Sequence, residues 1–243
     1  MNQFISSVAV IMPAAGSGRR FGSDQNKLFT LLDGKPIWEQ TATVLRSHRA
    51  VKRIVMPISD RDRDYFVSVG AAAVASLGIE LVSGGAQRTE SVGAGLNLVI
   101  DDPAIELVAV HDAARPLVKP GELDRVFERA SQTGAAILAS PVTATVKQTL
   151  DEGQSCRTID RSTLWLAQTP QVFRPSILRQ AYQRHRGRPA TDDAELVSRT
   201  GIEVALVECS AENIKITHPG DLAIAEALVN SRKQNSKTTN HDE

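Results

Sequence analysis

Cysteine is scarce in this chain: the 243 residues hold two, Cys156 and Cys209. They lie far apart, show no CxxC spacing and have no histidine in metal-ligand register. A disulfide framework or cysteine zinc site is therefore not expected, and both read as reduced thiols of a cytoplasmic protein. The five histidines form no HExxH pattern, which argues against a zinc enzyme. Excess charge is missing too. Lysine plus arginine, at 28, balances aspartate plus glutamate, also 28, so there is no overall basic footprint for nucleic acid and no sign of a membrane-surface binder. No apolar run reaches transmembrane length. The opening Met-Asn-Gln-Phe-Ile lacks the charged and long apolar parts of a signal peptide, so none is expected. Residues 231–243 are poor in apolar side chains and are expected to form a disordered tail.

What is present, 42% hydrophobic residues in a chain of this length, suffices for one large α/β domain or two small ones; a single domain is expected over residues 1–230. Its organising stretch is residues 8–27. Residues 8–12, Val-Ala-Val-Ile-Met, have the uniformly apolar pattern of a strand buried on both faces of a parallel sheet. Pro13 cannot donate to a ladder and is expected to end it. Ala14, Ala15, Gly16, Ser17 and Gly18 then carry almost no side chain, which lets backbone N–H groups approach an anion closely. Arg19, Arg20 and Lys27 add positive charge beside them. Glycines 16, 18 and 22 are spaced G-x-G-x-x-x-G, which misses the dinucleotide fingerprint, and Gly34-Lys35 is followed by Pro36, which misses the P-loop. A plain strand-to-loop turn would account for the glycines alone. The clustered cations favour a polyphosphate site.

Further along, buried strands are expected at residues 53–58, 80–82, 107–110, 135–139, 203–207 and 213–217. Helices are expected at 37–48, 60–75, 120–132, 175–185 and 219–231, with Tyr65, Phe66 and Val69 turned toward the sheet. Residues 28–32 read as a short extended piece entering an Asp33-Gly34 turn. Gly84-Gly85-Ala86-Gln87-Arg88-Thr89-Glu90-Ser91 repeats the theme of a glycine turn entering a helix; it is either an ordinary connection or a second ligand loop using Gly85, Arg88 and Ser91. The strand at 107–110 runs into His-Asp-Ala-Ala-Arg-Pro, so Asp112 and Arg115 fall at the carboxyl end of a parallel strand, where ligands gather. Asp112 is either a turn cap or a Mg²⁺ ligand beside phosphates, Arg115 either a surface ion-pair partner or a phosphate binder, and His111 a packed strand-end residue. Residues 142–150 and 156–159 flank Asp-Glu-Gly as a hairpin with no intervening helix. An isolated hairpin is marginal in water, so this arm, residues 141–169, is expected to pack on a second subunit. Thr191-Asp192-Asp193-Ala194-Glu195 reads as an N-cap with an acidic first turn, and Gly201 as the stop of that helix. The fold class is α/β: a Rossmann-like, mostly parallel sheet flanked by helices, with a protruding β-hairpin arm.

Arg20, Lys27, Arg115, Arg161 and Lys215 are cations at informative positions, and no Cys-His or Ser-His-Asp set accompanies them. Such a set suits phosphate chemistry. A phosphate monoester, with a second pKa of about 6, is mostly a dianion at neutral pH and needs no general base to attack. The barrier is repulsion from a nucleoside triphosphate, relieved by Lys, Arg and Mg²⁺. Nucleotidyl transfer fits this inventory.

Over roughly residues 5–230 the chain resembles the 2-C-methyl-D-erythritol 4-phosphate cytidylyltransferases. The matching segments are Pro-Ala-Ala-Gly-Ser-Gly-Arg-Arg from Pro13, Asn26-Lys27, Gly-Gly-Ala-Gln-Arg-Thr-Glu-Ser-Val, Val-His-Asp-Ala-Ala-Arg-Pro, Ile-Asp-Arg-Ser-Thr-Leu-Trp, Gln-Thr-Pro-Gln and Asn-Ile-Lys-Ile-Thr. The resemblance implies a nucleotidyltransferase fold and Mg²⁺-dependent transfer of CMP from CTP to a polyol phosphate. It implies catalytic roles for Arg20, Lys27, Arg161 and Lys215. The nucleotide would be held by Pro13, Ala14, Ala15, Gly16, Gly18, Gly85, Arg88 and Ser91. The acceptor would be placed by Asp112, Arg115, Thr145 and Thr169, with Thr145 and Arg161 reaching across a homodimer from the partner's arm. The nearest alternative is a ribitol 5-phosphate cytidylyltransferase; from another class, a nucleotide-binding regulatory module without turnover.

Overall fold

The apolar run at the start is apolar throughout because both of its faces are covered. In the computed structural model, which describes residues 7–16, 26–150, 152–153 and 155–239, β1 (Val8–Ile11) is a fully buried central strand. Val8, Val10 and Met12 join the core on one side of the sheet, Ala9 and Ile11 the core on the other. Next come a tight hairpin of β2 (Leu31–Leu32) and β3 (Lys35–Pro36), then α1 (Ile37–Ser47), β4 (Val51–Ile58), α2 (Arg63–Val67), α3 (Ala71–Ser76) and β5 (Ile79–Ser83). The middle of the chain supplies α4 (Arg88–Val99), β6 (Leu107–Val110), α5 (Pro120–Thr133) and β7 (Ala135–Pro141). The last part supplies β8 (Val146–Thr149), β9 (Cys156–Ile159), β10 (Trp165–Phe173), α6 (Pro175–Arg184), α7 (Asp193–Ser198), β11 (Ala205–Glu208) and α8 (Pro219–Thr239).

The main sheet has the order β11-β7-β10-β6-β1-β4-β5. All its pairings are parallel except those of β10, which runs antiparallel between β6 and β7. From β1 the chain winds outward to β4 and β5 on one side and later to β6 on the other. The crevice between the carboxyl ends of β1 and β6 is therefore a topological switch point. Helices α1, α5 and α8 cover one face; α4, α6 and α7 cover the other. The β8–β9 hairpin is a separate two-stranded sheet with mostly exposed residues.

β1 ends short of Pro13, as expected, although the Met12 and Ala14 N–H groups still donate to the carbonyls of Val55 and Pro57, both at 2.8 Å. Four local expectations need correction. Residues 28–32 are not extended throughout, since Lys27–Phe29 is a 3-10 turn begun by the Asn26 side chain; the Asp33-Gly34 turn is present, with positive φ at both residues. The helix expected over 60–75 breaks between α2 and α3, where Gly70 passes against the Trp38 ring, and Val69 is left 76% exposed instead of facing the sheet. Residues 213–217 form no strand: they cross the carboxyl end of the sheet, tied by the Ile216 N–H to Ala114 carbonyl bond at 2.9 Å. Finally, the closing helix continues beyond Ser231 to Thr239, through most of the segment expected to be a disordered tail. There Arg232 donates to the Leu117 carbonyl and Glu212, and Lys233 pairs with Asp33.

Candidate active site

Two clefts open at the switch point. The larger, about 520 Å³, is walled by Pro13, Ala14, Ala15 and Gly16 after β1, by Asn26, Lys27 and Leu28, and by Gly85, Arg88 and Ser91 at the start of α4. The smaller, about 280 Å³, is lined by Arg115, Gln168, Thr169, Gln171 and Asp192. Arg88, Asp112 and Lys215 line both, so a charged seam separates the two compartments.

Close packing of two loops explains the glycine at the rim. A Cβ on Gly84 would lie 2.6 Å from the Ala15 Cβ and 2.9 Å from the Ser91 hydroxyl, so only glycine lets the β1 and β5 loops meet. Ser91 is occupied in shaping this loop: its Oγ lies 3.1 Å from both the Gly85 N–H, which donates to it, and the Gln87 carbonyl. Because the Ala14 N–H is bound to β4, it is not part of an anion nest.

Lys27 is set by its neighbour. Asn26 is buried, accepts from the Leu28 N–H and donates to Asp62 at 2.8 Å. The Lys27 ammonium then reaches the Ile216 carbonyl at 2.7 Å, which places Lys27 against the segment that carries Lys215.

Asp112 is the anionic centre. Its Oδ2 lies 2.9 Å from the Lys215 ammonium and 3.4 Å from the Arg115 Nε, and its Oδ1 lies 3.7 Å from the Arg88 Nε. Burial by itself favours the protonated acid, but Lys215, Arg88 and Arg115 outweigh it and hold the carboxyl well below its usual range. Beneath it, His111 is fully buried. Its Nε2 faces the Arg115 carbonyl at 3.1 Å, which only accepts, so Nε2 carries the proton. Nδ1 then accepts from the Thr169 hydroxyl at 3.2 Å, while that hydroxyl oxygen accepts the Asp112 N–H at 3.0 Å. Burial lowers the His111 pKa to about 4 and keeps the ring neutral. His111 is thus the packed strand-end residue expected from its position, and Thr169 acts first as its partner.

Sequence reasoning missed the other side of the seam. Arg88 Nη1 donates to Asp193 at 2.7 Å, Tyr182 OH donates to the second Asp193 oxygen at 2.6 Å, and the Gln171 side-chain carbonyl accepts the N–H groups of Asp193 and Ala194, both at 3.0 Å. Burial opposes the Arg88 charge, yet Asp193 and then Asp112 raise its pKa. Burial, reinforced by Asp193, raises that of Tyr182 and keeps its hydroxyl a donor. The sequence showed Asp192 and Asp193 as a helix start, and Asp192 does cap α7 by accepting the Glu195 N–H at 2.8 Å. The whole of β10 was missed as a strand because Pro170 interrupts its apolar pattern; the ladder slips there, between Ala167 and Gln171.

Of the residues expected at the site, Gly18 and Arg20 lie outside the described residues. Thr145 and Arg161 are not brought to it within one chain: both are exposed on the arm, where Arg161 donates to the Thr143 carbonyl. Among the described residues no group of three or more His, Cys, Asp or Glu side chains gathers to bind a metal. Among them, too, Asp112 is the one carboxylate on the larger cleft, and its Oδ1 meets Arg88 only beyond hydrogen-bond reach. That donor set fits Mg²⁺ held by one carboxylate together with water and phosphate oxygens. No helix among the described residues is long and apolar enough to cross a membrane.

The IspD family model, 2-C-methyl-D-erythritol 4-phosphate cytidylyltransferase, matches residues 8–231 of the chain. A 2-C-methyl-D-erythritol 4-phosphate cytidylyltransferase of Rhodopirellula baltica is 50% identical over 234 residues, covering 93% of this chain and 96% of that protein. One from Bacillus licheniformis is 41% identical over 228 residues, covering 93% and 97%. Among solved structures, the Thermus thermophilus enzyme of that name aligns with a TM-score of 0.74 at 37% identity, over 91% of this chain and 98% of that one. The 4-diphosphocytidyl-2C-methyl-D-erythritol synthase of Anaerococcus prevotii aligns at 0.78 and 25% identity, over 93% and 99%.

Proposed function

Because the chain belongs to the 2-C-methyl-D-erythritol 4-phosphate cytidylyltransferase family, we propose that its two clefts hold the two substrates of a cytidylyl transfer, CTP in the larger and 2-C-methyl-D-erythritol 4-phosphate in the smaller. The observation that carries this reading is the seam: Arg88, Asp112 and Lys215 line both compartments, so the reacting phosphates meet beside them. A phosphate oxygen of the acceptor, already largely dianionic near neutral pH, attacks the α-phosphorus of CTP. One P–O bond forms, the bond to the β-phosphate bridging oxygen breaks, and pyrophosphate leaves. The products are 4-diphosphocytidyl-2-C-methyl-D-erythritol, an intermediate of non-mevalonate isoprenoid biosynthesis, and pyrophosphate. No proton need be removed, which agrees with a site whose described residues supply cations and hold the Asp112 carboxylate ionised against them.

Lys27 and Lys215, joined by the Ile216 contact, neutralise charge building on the attacked phosphorus, and the family resemblance assigns Arg20 the same role. Pro13, Ala15, Gly16 and Gly85 wall the nucleotide, and Arg115 holds the acceptor phosphate. Mg²⁺, held by Asp112 with phosphate oxygens, would supply further charge neutralisation when bound. The arm, mostly exposed in the single chain, delivers Thr145 and Arg161 into the site of a twofold partner, making the enzyme a homodimer. Free Cys156 and Cys209 suit work in the cytoplasm. Pyrophosphate release is the test. With CTP, methylerythritol phosphate should give kcat/KM at least about tenfold above ribitol 5-phosphate, a difference of about 1.4 kcal/mol. Equal efficiencies would remove the acceptor assignment and leave cytidylyl transfer.

A further inference from the structure

Arg88 stands between two carboxylates that pull in opposite directions. Its Nη1 is 2.7 Å from Asp193, and its Nε is 3.7 Å from Asp112, so Asp193 holds the guanidinium and Asp112 does not. The Asp193 carboxylate is itself immovable. It is fully buried; Tyr182 from α6 donates to its second oxygen, and Gln171 from β10 binds the N–H groups at the start of α7. Gln171 also donates to Asp192 at 2.8 Å. A long guanidinium side chain has many rotamers, and what restricts this one to the seam is an anion placed by three separate elements. Were the Asp193 charge absent, the nearest remaining anion would be Asp112. Arg88 would then swing off the nucleotide wall onto a carboxylate already flanked by Lys215 and Arg115.

We infer that Asp193 is a positioning residue of the transfer reaction, acting through Arg88, with Tyr182 and Gln171 fixing its carboxylate. The inference rests on the proposed function for the transfer reaction and for the choice of CTP as the probe. A buried ion pair is a poor source of stability compared with apolar packing of similar volume, so a purely structural role would not require a charge here. A role in placing Arg88 does.

A double-mutant cycle tests it, using Asp193→Asn, Tyr182→Phe, Arg88→Met and the Arg88→Met combinations, each checked for folding by circular dichroism. The readouts are kcat and KM for CTP at saturating acceptor, and the Kd for CTP by calorimetry. Misplacement of a contact group by about an ångström can cost on the order of 100-fold. Asp193→Asn is expected to lower kcat/KM for CTP by roughly 10- to 100-fold, and Tyr182→Phe by less, in the same direction. In the Arg88→Met background both changes should shrink to within about twofold, because the group they position is gone. A folded Asp193→Asn variant with kcat/KM within about twofold of wild type overturns the inference. So do penalties that multiply, the same factor appearing with and without Arg88. If Asp193→Asn does not fold, the Tyr182→Phe pair decides by the same criterion. A wild type that binds CTP but does not transfer to methylerythritol phosphate would sink the acceptor assignment, while the CTP Kd values still decide the role of Asp193.

Discussion

Acid should destabilise this protein through His111, in a pH window set by its buried, neutral state. In the unfolded chain the ring titrates near 6.5; in the fold, burial lowers its pKa to about 4. Between those values the unfolded state binds a proton that the native state excludes, so the free energy of unfolding falls as pH falls. The slope is about 1.4 kcal/mol per pH unit, which makes the loss about 2 kcal/mol at pH 5 and about 3 kcal/mol at pH 4. The stabilisation is fully present above pH 6.5 and exhausted below about 4. Asp112 acts in a separate range. Its depressed pKa contributes stability above its ordinary value of 3.8 that is lost only at lower pH. The assay is urea denaturation from pH 7 to 4.5, with EDTA and without nucleotide, for wild type and His111→Gln. Surface groups titrate alike in both proteins and cancel in the difference. The variant loses packing and the Thr169 bond, so it should be less stable at pH 7, with the gap closing by about 2 kcal/mol at pH 5. A gap that stays constant over this range would mean that the ring is already protonated in the fold or free to find a new partner.

Lys27→Ala should leave the fold intact and lower kcat by about 100-fold or more, since its ammonium lies on the Lys215 segment, where the proposed function puts the reacting phosphates; a raised KM for CTP with unchanged kcat would place it in binding alone. Gly84→Ala should cost about 1–3 kcal/mol by driving the β1 and β5 loops apart, and should weaken CTP binding, whereas Gly16→Ala, with nothing within 4 Å of the added methyl, should leave the melting temperature nearly unchanged. Equal stabilities of these two variants would contradict the loop contact. Mixing inactive Lys27→Ala and Arg161→Ala under subunit exchange should restore about a quarter of wild-type activity, because half the dimers are mixed and half their sites are intact. No recovery, with exchange verified by mass, would assign Arg161 to its own chain.

What the chain order alone determined is what depends on neighbours a few residues apart. The apolar run before Pro13 announces a strand covered on both faces, Asp33-Gly34 a tight turn, and the small residues after β1 a loop with almost no side chain. Lys27, Arg115 and Lys215 were legible as members of one cation set, and Arg88 as part of a glycine turn entering a helix. The identity of the groups that hold them was not. Arg88 and Asp193 are 105 positions apart, Lys27 and Ile216 are 189, and Asp112 and Thr169 are 57. Such pairs exist only once the sheet order brings β10 between β6 and β7 and lays residues 213–217 across the strand ends. Pro170 hides β10 from any local pattern, and the acidic start of α7 looks like every other helix cap. A short-range rule ranks Asp192 and Asp193 as equals. The tertiary structure separates them: burial forces Asp193 to find a cation, and the guanidinium that its helix meets is the one between the two clefts.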